Sequence, residues 1–439
     1  MRRALFAIAT SVVALTAGAA PAAADPAAVK QAVAADYDSH LKDLFVHFHA
    51  NPELSFLEVE TAKRMAVELK AAGLEVTEGV GGTGVVGMVR NGDGPLILLR
   101  ADMDGLPMPE KTGLDYASTA TQVAQDGNEY PVMHACGHDV HITSMVGTAR
   151  RLMAMKDQWS GTLMFVVQPA EERVGGAAAM LEDGLYERFG TPDYALAFHV
   201  ASILPTGKIS ASESIQYSSA DSVDIKVPGV GAHGASPHMG RDPVYIASQI
   251  VTAMQSIVSR EIEPLSPAVI TVGAFHSGTK HNIISDRADL QLTVRANDEA
   301  TRAQLLAAIE RVAVNIGKAH GLPDATPVEV AVSEGTPVTN NDPALARRLN
   351  AVMQRDLGED VLVPWQQRGM GAEDFAYFVA EDYGVREECH VKADEVLGRL
   401  RGHTIETIFE QGLHEFLEEF IRDNNALAGQ IEQDYRFYG

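Results

Sequence analysis

The hydrophobic positions of this chain change period as they run. Across residues 27–49 they recur at helical spacing, with Leu41, Leu44, Phe45 and Phe48 on one face, and the pattern stops before Pro52. Short continuous apolar runs then alternate with helical stretches. Strands are predicted at 95–99, 162–167 and 194–198, with helices at 142–155 and 176–188 between them. Such alternation predicts an α/β domain, a mostly parallel mixed sheet flanked by helices on both faces. Past Ser219 the character changes. Residues 222–227 alternate with period two, as a half-exposed strand does. A helix at 243–258, strands at 268–275 and 289–294, a helix at 299–318 and an alternating run at 327–332 follow. The order β-α-β-β-α-β is that of a ferredoxin-like α+β unit. It reads as an insertion, because α/β character resumes over 342–355. The expected division is therefore a larger α/β domain over 25–215 and 333–439, interrupted by the small unit at 216–332.

The first 24 residues stand apart. Arg2 and Arg3 precede an apolar run over 4–17, and Ala22-Ala23-Ala24 offers small residues for cleavage before Asp25. That order predicts a signal peptide and an exported protein, periplasmic or secreted. No other segment approaches the roughly 18 apolar residues of a membrane span. Cleavage removes two arginines and takes the net charge from −24 to −26. An acidic surface of that size argues against nucleic acid or an anionic membrane as a partner.

The chemistry sits where the strands end. In an open α/β sheet, ligands bind beyond the carboxyl ends of the strands. Here the first strand runs into Arg100-Ala101-Asp102-Met103-Asp104, the second into Gln168-Pro169-Ala170-Glu171-Glu172, and the third into His199. A fourth segment, His134-Ala135-Cys136-Gly137-His138-Asp139, opens a helix. Cys136 and His138, two apart in an extended loop, are expected to point the same way. Sulfur, nitrogen and oxygen donors together suit zinc or another first-row divalent ion, not calcium or magnesium. A disulfide between Cys136 and Cys389 is the weaker reading. Glu171 and Glu172 diverge as neighbours, so one can bind metal while the other faces the substrate carbonyl. A free carboxylate there can take a proton from water and pass it to a leaving nitrogen.

At these residues the sequence resembles the metal-dependent amidohydrolases that include hippurate hydrolases, aminoacylases and indole-acetyl-amino-acid hydrolases, relatives of the co-catalytic zinc carboxypeptidases. The motifs are His49-Ala50-Asn51-Pro52-Glu53-Leu54, Arg100 to Pro107, His134 to Asp139, Gln168 to Glu172, Gly231 to His238, Asn282 to Asp286 and Gly371-Ala372-Glu373-Asp374-Phe375. The resemblance implies two divalent ions per subunit (zinc, manganese, cobalt or nickel), held by Cys136, His138, Glu172 and His199. It makes Glu171 the general base and acid, and Asp102 the carboxylate that orients His138. It makes the inserted unit a lid and dimerisation domain, from which His233 reaches the partner's site. Asn282 and Arg295 would hold a small N-acyl amino acid substrate.

The match breaks near the C-terminus. The resemblance implies a last ligand histidine in a Leu-His-x-Pro setting, but residues 394–421 read as an amphipathic helix. His414 is the first local candidate, ahead of His390 and His403. Alternatives to an N-acyl amino acid hydrolase are a dipeptidase or carboxypeptidase, and an exported binding protein with impaired catalysis.

Overall fold

The computed structural model describes residues 26–380. The expected signal peptide, Cys389, His390, His403, His414 and the amphipathic run at 394–421 lie outside the described residues.

A five-stranded mixed sheet is built from the strands Glu75–Val80, Gly84–Asn91, Gly161–Gln168, Leu96–Asp102 and Tyr194–Ala197, in that spatial order. The last three are parallel, as the strand–helix alternation predicts. The first two add an antiparallel hairpin that the apolar pattern did not announce, so parallel and antiparallel pairings are equal in number. Its tight turn explains why. Gly81 and Gly82 both take positive φ, which closes the hairpin without the crossover helix that a parallel pair needs.

Helices cover both faces. On one, the helices Lys42–Ala50, Val59–Ala72 and His138–Ala154 bury Phe45, Phe48, Met65, Leu69 and Ile142 against Leu99, Phe165 and Val167. On the other, the helices Gly176–Glu182 and Leu185–Phe189 pack Met180 and Leu185 against Leu98, Met164 and Val166. The stretch expected as one helix at 176–188 is two, because Gly184 at φ 81 breaks it. Leu98 is fully buried, and removing its side chain would cost about 2–5 kcal/mol.

The second sheet has the order Ala268–Ser277, Arg287–Ala296, Ala220–Pro228, Glu329–Thr336, all antiparallel. Val223, Ile225 and Val227 point into a separate core made with the helices Pro243–Ser256 and Glu299–Ala319, while Ser222, Asp224 and Lys226 face outward. Period two in the sequence is the direct trace of that one-sided burial. Among the described residues no helix is long and apolar enough to cross a membrane.

Candidate metal centre

Three parallel strands deliver their ends to one edge of the large sheet. Asp102 pairs with Gln168 and Arg100 with Ala197, so the segments carrying Glu171, Glu172 and His199 leave the sheet side by side. Cys136 and His138 arrive from above. His138 is already the first residue of its helix, and Gly137 sits in the left-handed region at φ 84. The pair is therefore brought together by a turn and not by the extended loop expected. A Cβ on Gly137 would lie 2.4 Å from Val200 Cγ2, so no larger residue fits there.

The donor atoms of Cys136, His138 and His199 lie within 4.8 Å of one another, as do those of His138, Glu171 and Glu172. Cys136 Sγ is 3.3 Å from His199 Nε2. His138 Nε2 is 3.9 Å from Glu171 and 4.0 Å from Glu172. Both histidines have their other nitrogen committed. Nδ1 of His138 donates to the backbone oxygen of Asp104 at 2.8 Å, and Nδ1 of His199 to that of Val200 at 2.6 Å. A carbonyl can only accept, so each ring carries its proton on Nδ1 and turns Nε2 to the pocket.

These atoms fit a cation better than they fit each other. Oε1 of Glu172 is buried without a hydrogen-bond partner, and Nε2 of His138 finds no oxygen or nitrogen to bond. Leaving such a group unsatisfied costs about 1–3 kcal/mol. Burial raises the Glu171 carboxyl well above its usual range, and Glu373, Glu172 and Asp374 raise it further. Burial and then Cys136 do the same to Glu172. Burial pushes the Cys136 thiol up, but His199 and His138 more than offset it and bring it to about 6. Burial opposes charge on His199, yet the neighbouring thiolate lifts it to about 9. The pocket crowds its carboxyls so closely that they hold on to their protons, and a divalent ion bound there would displace those protons as metal binding ordinarily does.

The turn that presents the glutamates is strained. Ala170 and Val174 take φ 49 and 44, a cost of about 1–3 kcal/mol each for residues other than glycine. Asp104 spans the turn, accepting from the amides of Glu171 and Glu172 at 3.1 Å each.

Asp102 is not where the resemblance put it. It accepts from His141 Nδ1 at 2.6 Å and from Arg100 at 2.5 Å, and approaches His138 only on the Nε2 side, at 3.6 Å. The contact to His138 Nδ1 belongs to Asp104. Burial works against a charge on Asp102, but Arg100, His138 and His141 hold its carboxyl well below the usual range. His141 escaped the sequence reading. It donates to Asp102 and accepts from Val200 N–H at 3.0 Å, so both nitrogens are used and it props the loop that carries His199. Its spacing from His138, one helical turn, was the available signal.

The residues assigned to substrate sit on the small unit. His233 is exposed on a two-residue strand paired with Ile283–Ile284, and Gly234 N–H donates to the carbonyl of Asn282, itself exposed. Arg295 is half-buried and donates to Thr293 Oγ1 and the Met370 carbonyl.

Known proteins resemble this chain in sequence and in fold. The chain is 38% identical over 346 residues to hippurate hydrolase of Campylobacter jejuni, which covers 78% of this chain and 86% of that one. It is 36% identical over 341 residues to thermostable carboxypeptidase 2 of Saccharolobus solfataricus, covering 77% and 82%. Among solved structures, the Bacillus subtilis protein YXEP, a dinuclear metal-binding peptidase, superposes with a TM-score of 0.65 at 27% identity over 88% of this chain and 99% of that one. Residues 375–436 match a different description, a predicted alpha-helical domain with a conserved ER motif. Residues 98–396, which contain the whole described pocket, match peptidase family M20/M25/M40, and the chain belongs to that family.

Proposed function

We propose that this protein hydrolyses the amide bond of small N-acyl or N-aroyl amino acids, of which hippurate is the type, to a carboxylic acid and a free amino acid. The observation that carries the reading is one carboxylate to spare. Cys136, His138, Glu172 and His199 would hold the metal, two ions per subunit, and Glu171 remains beside them, buried and 3.9 Å from His138 Nε2. When bound, divalent cations polarise the scissile carbonyl and make water more acidic. Glu171 takes the proton from the attacking water and hands it to the leaving nitrogen as the carbon–nitrogen bond breaks. Its raised proton affinity suits it to hold that proton between the two steps. The similarity to hippurate hydrolase supports the substrate class.

Three further parts belong to this proposal. The inserted unit acts as a lid and dimer interface, supported by the exposure of His233 and Asn282 on it. Those two residues and Arg295 meet the substrate when the unit closes or a second copy docks. The leader-like pattern of residues 1–24 supports export to the periplasm or beyond.

The test is elemental analysis of purified protein followed by a screen of substrates with zinc, manganese, cobalt and nickel. Benzoyl-glycine should be cut faster than any dipeptide bearing a free α-amine; the reverse order would make the protein a dipeptidase or carboxypeptidase. A second reading, a binding protein with impaired catalysis, is favoured by the match of residues 375–436 to an unrelated description. It predicts fewer than two ions per chain and no turnover with any of them.

A further inference from the structure

The hydrolytic step leaves two aromatic rings beside the pocket without a task. Tyr217 ends the short strand Ile215–Tyr217 and pairs across to Thr339. Its ring centroid stands 6.3 Å from that of His199 and 6.4 Å from that of Trp365. Such separations are those at which aromatic rings attract each other tilted or edge to face. Both Tyr217 and Trp365 are half-buried. The loop over 363–373 brings Trp365 in, and it is tied to the strand of Tyr217 at two points. Ser218 N–H donates to the Gly371 carbonyl at 2.8 Å, and Gln367 Nε2 donates to Ser218 Oγ at 3.0 Å. Burial, then Glu373, Cys136, Glu171 and Asp102, push the Tyr217 hydroxyl well above its usual range, so the phenol lies in the field of the pocket's anionic donors. Trp365 Nε1 is buried and has no hydrogen-bond partner. A buried donor that the protein leaves unsatisfied calls for a partner from outside it, such as an oxygen of a bound molecule.

We propose that Tyr217 and Trp365 are the seat of the acyl group and select a flat aromatic one over a small alkanoyl one. The inference deepens the hydrolase reading above and rests on it for its kinetic part. Glu171 groups with His138 and Glu172, whereas the aromatic pair flanks His199. The nitrogen and the acyl substituent leave opposite sides of the carbonyl carbon. A nitrogen that faces Glu171 for its proton therefore turns the acyl substituent towards Tyr217 and Trp365. A phenyl ring exchanges water for aromatic surface there, and a methyl group has too little area to do so.

The experiment compares wild type with Tyr217→Leu, Trp365→Leu, Tyr217→Phe and Trp365→Phe, by kcat/KM on benzoyl-glycine, acetyl-glycine and acetyl-phenylalanine. Wild type should prefer benzoyl-glycine to acetyl-glycine by about 100-fold, and each leucine variant should lower that preference about tenfold. The phenylalanine variants keep a ring and should hold the preference within about threefold of wild type. A preference that stays put in folded leucine variants, or a wild type that favours acetyl-glycine, overturns the proposal. So does a loss confined to acetyl-phenylalanine, which would make the pair a seat for the amino acid side chain. A second arm needs no turnover. The chain has two tryptophans, and Trp159 is buried in the core of the large sheet with its N–H on the Leu152 carbonyl. The emission of metal-loaded wild type minus that of Trp365→Phe thus reports Trp365. Benzoate should change it saturably, and acetate, which offers the same carboxylate, should not. This arm carries the test alone should the leucine variants not fold, and no change with benzoate overturns the proposal. A wild type that cuts nothing while benzoate still changes the emission refutes the hydrolase reading and leaves the aromatic seat standing.

Discussion

The metal pocket and the His233–Asn282 strand pair are opposites in burial, and they announce their function in opposite ways. In the pocket, His138 is fully buried and Glu171 nearly so, and the neighbouring Glu172 Oε1 is buried without a hydrogen-bond partner. A buried carboxylate oxygen of that kind, beside sulfur and imidazole donors, suits a cation. On the small unit, His233 is exposed and its Nδ1 already accepts from Ala235 N–H, so nothing in one isolated chain is left wanting. A site completed by an ion is visible in the chain that holds it; a site completed by movement or by a second copy is not.

The comparison is broken most severely by the pocket. Glu171→Gln keeps the size of the side chain and removes the proton acceptor. Turnover of benzoyl-glycine should fall by about 10²–10⁴-fold, while elemental analysis shows the wild-type metal content. Retained turnover would strip Glu171 of its role and leave Glu172 or Glu373 to be considered.

The small unit should answer next. His233→Ala is expected to lower kcat by about 10²-fold, the scale of losing one donor to a developing oxyanion, with metal content and melting temperature unchanged. If His233 acts across a dimer, mixing the inactive Glu171→Gln and His233→Ala proteins should restore about a quarter of wild-type activity, since half of randomly formed pairs are mixed and each has one intact site. Recovery of no activity, with His233→Ala alone inactive, would place the histidine in its own chain's site.

The same contrast explains what the sequence could and could not reveal. Glu171, Glu172 and His199 stood out in the sequence only as a set. Singly, an acidic pair reads as the first turn of a helix and a lone histidine as a structural one, but four separate segments end in metal-type side chains where a sheet places its ligands. His141 did not, since a histidine one turn from a ligand looks like another ligand until its two partners, Asp102 and Val200, are known. The choice between Asp102 and Asp104 was equally hidden. Two residues apart on a strand they would share a face, and only the end of the strand at Asp102 lets Asp104 turn back to His138. The hairpin over residues 75–91 was missed because its signal is a run of glycines at a turn, which apolar periodicity does not read.

The pocket's rigidity has a source outside it. His49, 0% exposed, bridges Asp139 at 2.7 Å and Glu110 at 3.1 Å, tying the helix Lys42–Ala50 to the residue after His138. Removing one member of such a buried charged group strands the others, so His49→Ala should cost about 3–5 kcal/mol in denaturant unfolding. A cost below about 1 kcal/mol would mean that the two carboxylates find other partners and that the helix is not braced through this histidine.

The smallest effect separates the two regions by pH alone. Burial disfavours the charged form of His49, but Asp139 and Glu110 outweigh it and raise the ring from 6.5 to about 9. A group whose folded value lies above its unfolded value stabilises fully below the unfolded one. Its contribution should therefore be whole below about pH 6.5, decline through pH 7 and 8, and be gone above about 9. Unfolding free energies of wild type minus His49→Gln, measured from pH 6 to 10, isolate this term from every other titration. The difference should shrink with rising pH, and metal release should follow it, because Asp139 adjoins a ligand. Among the described residues the small unit around Val223, Ile225 and Val227 buries no histidine, so tryptic cutting near His233 should not follow the same change. A difference that stays flat across that range would show that His49 is neutral in the folded chain and that its two contacts are ordinary hydrogen bonds.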